Sequence, residues 1–272
     1  MTRTTIMRFF KRQSNHLNSD RGFTTVELLV AGVIGVILLG VTIMIFTQQE
    51  KLLRTENTAT KIRAEGRQAI KTLAKEVRMA GFGLPPSMGM TGPDPVPATA
   101  STFSYQTNIK DIRTTTIPGN PGTSPLSGST FSVVDSDGFT VGDTVVIYNP
   151  AYGQSETGVV NGKSSGSGDT ITMASTPAVT YVYAANATLI TINKYNVISI
   201  YLSGTDIIKS IDGVLTTLVS DVAASTGLEF DYYSETETSS VRKIGVTVRL
   251  VDPDDATATI EFKTDALLRN TE

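Results

Sequence analysis

Hydrophobic positions fall into three regimes along the chain. From Leu28 to Phe46, 19 consecutive residues carry no charge, and Thr42 is the only polar side chain among them. A helix of that length spans about 28 Å, close to the ~30 Å hydrocarbon core of a bilayer. Thirteen of the 19 are Leu, Ile, Val or Phe, which together favour insertion by about 4–8 kcal/mol at most. The pattern predicts a transmembrane helix over about 28–46. Beyond it the apolar period lengthens: Ala59, Ile62, Gly66, Ala69, Leu73, Glu76/Val77 and Ala80 recur at three- and four-residue steps. Lys61, Arg63, Lys71, Lys75 and Arg78 lie mostly off that seam, as on an amphipathic helix. No proline occurs between Met1 and Leu84. One helix is therefore expected from about Phe23 to Ala80, within a helical block 23–84 that Gly81, Gly83 and Pro85-Pro86 close. Gly32, Gly35 and Gly40 are its weak points, read as small residues for close helix packing.

The third regime is β. Residues 85–125 hold eight of the eleven prolines, so 85–126 reads as a Pro/Gly-rich connection, with one strand around Ala100–Gln106. Short β-branched runs follow at Asp143–Asn149, Thr157–Val160, Thr170–Met173, Val179–Val182 and Thr188–Ile192, with a hairpin tip between Asn161-Gly162 and Gly168-Asp169. They predict an inserted β-rich subdomain over 127–194, a small meander or barrel. From 195 to 272 the alternation is clean: Ile198, Ile200, Leu202; Leu228, Phe230, Tyr232; Ile244, Val246, Val248, Leu250; Ala256, Ala258, Ile260, Phe262. This is the pattern of half-buried antiparallel strands, one face packed on the second half of the long helix. The expected class is α+β: a long N-terminal helix on an antiparallel β-sheet domain with a β-rich insertion.

Composition narrows the chemistry. In 272 residues there is no cysteine, and the one histidine is His16. Cys or His catalysis, and zinc sites built from them, are close to excluded. No phosphate loop, triad spacing or paired-acid motif stands out, so no enzyme, cofactor or metal is expected. A net charge of -3 argues against a general nucleic-acid binder. Asp135-Ser136-Asp137-Gly138 resembles a fragment of a calcium loop, but the twelfth position, where a bidentate Glu belongs, is Val146; it reads as a turn. Asp252, Asp254 and Asp255 read as a hairpin tip, and Tyr148, Tyr152, Tyr181, Tyr183, Tyr195 and Tyr201 as cross-strand packing rather than an adhesive surface.

The amino terminus carries the strongest signal. The first 22 residues hold five basic side chains (Arg3, Arg8, Lys11, Arg12, Arg21) against one acid, Asp20. Lys51, Arg54 and Lys61 follow the apolar run, interleaved with Glu50 and Glu56. The bias places the amino terminus inside and the carboxyl terminus outside. An ordinary secretory signal has a shorter apolar stretch and a small-residue cleavage site, which Thr47-Gln48-Gln49-Glu50-Lys51 does not provide. Glu27 stands directly before Leu28. An acid there is either a helix-end charge among headgroups, favourable to the helix dipole, or a functional group.

Gly22-Phe23-Thr24, then Glu27 and the apolar helix, resembles the class III signal of type IV prepilins and type II secretion pseudopilins. Thr25 and Val26 depart from the Leu and Ile that family members often carry. The resemblance implies a leader 1–22 cut by prepilin peptidase between Gly22 and Phe23, and N-methylation of Phe23 by the same enzyme. Gly22 suits that cut because it offers no side chain to obstruct backbone approach. It also implies that Glu27 pairs with the Phe23 amine of a neighbouring subunit and sets axial register. The strings Arg78-Met79-Ala80-Gly81-Phe82 and Leu267-Leu268-Arg269-Asn270 resemble PilW-type minor pilins and the J-type pseudopilin. The partners implied are prepilin peptidase, other major and minor pilins, an inner-membrane assembly platform and the bilayer before assembly. The place implied is the bacterial inner membrane, single-pass with the C-terminal domain in the periplasm, then a fibre at the cell surface. A membrane-tethered periplasmic β-domain that binds a ligand is the alternative of another class.

Overall fold

The computed structural model describes residues 22–86, 88–91, 99–117, 126–166, 168–177, 189–233, 235, 237–252 and 255–269. One helix, α1 (Thr25–Arg78, 54 residues), is followed by strands. In chain order these are β1 (Met90–Thr91), β2 (Thr99–Ala100), β3 (Thr102–Thr107), β4 (Arg113–Thr115), β5 (Leu126–Ser127), β6 (Thr130–Val133), β7 (Thr144–Asn149) and β8 (Gln154–Ser164). Then come β9 (Asp169–Met173), β10 (Thr191–Lys194), β11 (Asn196–Ser203), β12 (Asp206–Ile211), β13 (Val214–Val219), β14 (Leu228–Asp231), β15 (Lys243–Asp252) and β16 (Asp255–Leu267). The chain divides into two compact units, Met1–Glu56 and Asn57–Glu272.

In the first unit, every described residue from Gly22 to Glu56 is exposed. Its helix is long and apolar enough to cross a membrane, and none of the most apolar window is buried. Among the described residues, nothing buries its apolar side chains.

In the second unit, the helical residues from 57 to 78 bury one stripe: Ile62, Gly66, Ala69, Leu73, Ala74 and Val77. The stripe and Ala80 share a core with two antiparallel sheets. One has five strands in the order β1-β3-β11-β12-β13, the other four in the order β16-β15-β14-β2. The alternation read from sequence holds, with Ile198, Ile200, Leu228, Phe230, Ile244, Val246, Val248 and Leu250 all in this core. The expectation of one main sheet over 195–272 differs from what is seen. Only Ser101 separates β2 from β3, so the chain changes sheets there; β3 is the strand expected around Ala100–Gln106, while β1 and β2 come from the segment expected to be connection. Phe103 bridges the two layers, stacked on Tyr105 at 5.2 Å and tilted against Phe230 at 5.4 Å.

α1 stops before Ala80 because Gly81 and Gly83 take positive φ (73° and 71°), conformations that L side chains rarely adopt. The turn that follows is fastened to β3: the Gly81 N–H donates to Gln106 O at 2.8 Å and the Asn108 N–H to Phe82 O at 2.8 Å.

The inserted β-rich body has its own core of Phe131, Val133, Phe139, Val145, Ile147, Val160, Ile171, Met173, Ile190 and Ile192. Its strands run β4-β10-β7-β8-β9-β6-β5. A bridge between Thr116 and Val133, with Ile117 N–H donating to Ser132 O and Val134 N–H to Thr115 O, ties the end of β4 back to β6. Six strands thus close on themselves, leaving the two-residue β5 outside the closure. The body therefore includes β4, outside the 127–194 stretch read from sequence, and β5, which begins one residue before it. Arg113-Thr114-Thr115 is short and polar, so it carries no alternation signal. Val179–Val182 lies outside the described residues.

Candidate functional site

The three residues singled out at the amino terminus lie together. Gly22, Phe23 and Thr24 precede the helix in non-helical backbone, and Phe23 is 88% exposed. Glu27 occupies the first turn of α1 and closes a reciprocal cap with Thr24. The Thr24 N–H donates to Glu27 Oε2 at 2.9 Å, Thr24 Oγ1 to the same oxygen at 3.0 Å, and the Glu27 N–H to Thr24 Oγ1 at 3.3 Å. This is a capping box, in which Ser/Thr and Glu three residues later satisfy each other's open amides at a helix start. The signal was present as Thr24-Thr25-Val26-Glu27, ahead of an apolar run, and was not read as a cap. The carboxylate is thus held at the helix N-terminus, where its charge also complements the helix dipole. One of its oxygens, Oε2, takes both Thr24 donors. Residues 1–21, expected from the sequence to be most of a leader, lie outside the described residues.

Comparison with protein-family models, with curated proteins and with solved structures found no match.

The remaining polar clusters bind one another. Asp135 Oδ1 accepts the Asp137 N–H at 2.8 Å, and Gly138 takes φ 82°, so the calcium-like string forms an Asx turn. Asp169 Oδ2 accepts from the Ser136 N–H (2.7 Å) and Oγ (2.9 Å). Those two bonds, with the Gly166 N–H, hold its carboxyl below the usual range. Asp143 loses some hydration by burial, which alone would raise its pKa; the Lys194 ammonium at 2.6 Å and the Thr140 N–H outweigh that and lower it. Among the described residues, no group of three or more His, Cys, Asp or Glu could hold a metal ion. Of the tyrosines, Tyr195 is buried, Tyr148 and Tyr201 are half-buried, and Tyr152 is 54% exposed. Tyr181 and Tyr183 lie outside the described residues, as does Asp254.

Sequence reasoning missed one internal site. Glu76 lies on the covered side of α1, where its Oε2 accepts from the fully buried Tyr105 hydroxyl at 2.6 Å and from Lys209 Nζ at 2.6 Å. Burial, and the adjacent carboxylate after it, push the Tyr105 hydroxyl far up, so it stays a donor. Glu76 and Lys209 are only about 15% exposed. The trio fastens the helix to β3 and β12. Two open clefts adjoin the helix. One, of about 380 Å³, lies between Ala64–Thr72 and Leu218–Asp221, and the other, of about 390 Å³, between Thr58–Glu65 and Asp221–Val222 with Val251.

Proposed function

We propose that the chain is a minor pilin, a structural subunit cut after Gly22, N-methylated on Phe23 and assembled through its N-terminal helix into a type IV pilus. The observation that carries this reading is the uncovered apolar helix headed by the Glu27 carboxylate, directly after Gly22-Phe23. A helix with no buried residue from 25 to 56 is made to be covered by lipid before assembly and by like helices after it. The α+β domain beyond residue 57 supplies a folded body for the subunit, and its satisfied polar clusters favour a structural role over catalysis.

The capping box sharpens the part played by Glu27. Two explanations now compete: local capping of α1, and pairing with the Phe23 amine of a neighbour in low dielectric. Gln preserves the cap geometry but not the charge. Mass spectrometry on protein from cells that contain prepilin peptidase should find N-methyl-Phe23 as the first residue. An intact Met1, or a terminus after Phe46, overturns the pilin reading. Glu27→Gln should still be cleaved but should enter fibres poorly; normal incorporation assigns Glu27 to the cap alone and removes the register role.

A further inference from the structure

The strand β13 is an open edge with chemistry unlike the others. Among the described residues, the ends of the two sheets around α1 are β1, β13, β16 and β2. β1 and β2 are two residues long, and β16 carries the exposed charges Glu261, Lys263 and Asp265 along its length. Short strands and charges are the usual ways of discouraging an edge from recruiting another strand. β13 has neither: it reads Val-Leu-Thr-Thr-Leu-Val, without charge, proline or glycine. Val214 is 70% and Leu215 61% exposed, and Thr216 and Thr217 are exposed too.

The hairpin fixes which backbone groups are free. Ile211 pairs with Val214 across the two-residue turn Asp212-Gly213, whose φ values of 49° and 89° suit a type I′ turn. Residues flanking such a turn exchange hydrogen bonds, and the pattern then alternates. Val214 and Thr216 therefore direct their N–H and C=O toward β12, while Leu215 and Thr217 direct theirs outward. The register is regular through Ile208–Thr217 and shifts only beyond it.

We infer that β13 pairs antiparallel with β13 of a second copy of this chain about a two-fold axis at Thr216. Opposed residues in an antiparallel pair share a face, so a symmetric pair must centre on one residue. Centring on Thr216 sets Leu215 opposite Thr217 of the second copy, and Thr217 opposite its Leu215. All four outward residues then exchange hydrogen bonds. Thr216 faces its own counterpart in the close, non-hydrogen-bonded position, a favourable cross-strand pair. A charge on the axis would face its own copy, and like charges on its neighbours would lie close across the pair; β13, which carries no charge, meets neither repulsion. The contact is isologous and stops at two copies, joining two five-stranded sheets into one of ten. This inference stands apart from the pilin reading and uses none of the amino-terminal residues.

The absence of cysteine makes the test direct. In the centred register the Thr216 Cα atoms lie about 4.5 Å apart, within the ~4.4–6.8 Å that a disulfide spans. Full-length Thr216→Cys, oxidised in native membranes, should give a covalent homodimer at least about tenfold faster than Val141→Cys, another exposed position, on the β-rich body. Adding Leu215→Pro removes an outward N–H that the fold does not use, so it should abolish the cross-link with little change in thermal unfolding. Cross-linking no faster than Val141→Cys, persistence with Leu215→Pro, or capture of a different protein in place of a homodimer each overturns the inference.

Discussion

Two stretches of one helix, residues 25–56 and 57–78, solve the problem of apolar surface in opposite ways. The first holds an unbroken apolar run from Leu28 to Phe46, with charges only at Glu27 before it and from Glu50 onward after it, and none of its residues is buried among the described residues. The second confines its apolar residues to a single stripe, with Leu73 and Val77 fully buried and Lys61, Arg63 and Lys71 outside. A helix apolar all round belongs in lipid or among other helices, and one with a single stripe belongs on a globular core. The difference teaches that one part of a continuous element is built to hold the globular core and the other is not. Substitutions should therefore divide cleanly: those in the first stretch leave the stability of the β-domain unchanged, those in the second alter it.

The largest effect should come from Leu73→Ala. The side chain is wholly buried between the two sheets, and truncation of such a leucine costs about 2–5 kcal/mol through lost transfer energy and the remaining cavity. Leu39→Ala removes the same atoms from a side chain that is 62% exposed. It should leave the denaturant midpoint of the β-domain unchanged. Equal losses in both variants would mean that the first stretch is also part of the cooperative folding unit, and the comparison would fail.

A second effect comes from the closest approach of helix and sheet. A Cβ built on Gly66 would lie 2.0 Å from Phe262 Cε2, so the glycine is what lets the ring of β16 lie against the helix backbone. Gly66→Ala should destabilise the domain by about 1–3 kcal/mol despite the better helix propensity of alanine, because the ring must move. Shortening the partner with Phe262→Leu should recover part of the loss. Gly40→Ala, where nothing lies within 4 Å, should leave the domain's unfolding unchanged. A neutral Gly66→Ala would show that Phe262 yields freely and that the approach is not tight.

Much of this division was legible in the sequence, for physical reasons. Charge-free length marks a membrane segment, and a 3.6-residue period marks a covered stripe; Ile62, Gly66, Ala69, Leu73, Val77 and Ala80 all followed it. The alternating strands of the last third followed equally well, because one buried face fixes their period. What escaped lacked such a period or broke it. β12 and β13 went unread although Asp212-Gly213 is a strong hairpin signal, since β13 is exposed on both faces and packs too little to alternate. Glu76 was placed on the seam, but its two partners come from β3 and β12, and pairings over 29 and 133 residues leave no local trace. The closure of the six-stranded body rests on a single bridge between Thr116 and Val133. The cap at Thr24 was visible as a spacing, yet an acid before an apolar run draws a membrane explanation before a local one.

That cap provides the smallest and most local test of the comparison. Thr24→Ala removes the hydroxyl that accepts the Glu27 N–H and donates to its carboxylate, while the Thr24 backbone bond to Glu27 can persist. Only the first turn of α1 should loosen, seen as faster amide exchange at residues 25–28 in detergent-solubilised protein. Exchange at Leu73 and Val77 should not change, and neither should thermal unfolding of the β-domain. Glu27→Gln, which keeps a side-chain acceptor for Thr24, should loosen the turn less than Thr24→Ala does. If both variants leave exchange at the first turn untouched, the cap contributes nothing measurable to the helix start, and the cost of placing an acid before Leu28 must be met by contacts outside the chain. Loosening that spreads to Leu73 would instead show that the two stretches unfold together, against the separation argued from their burial.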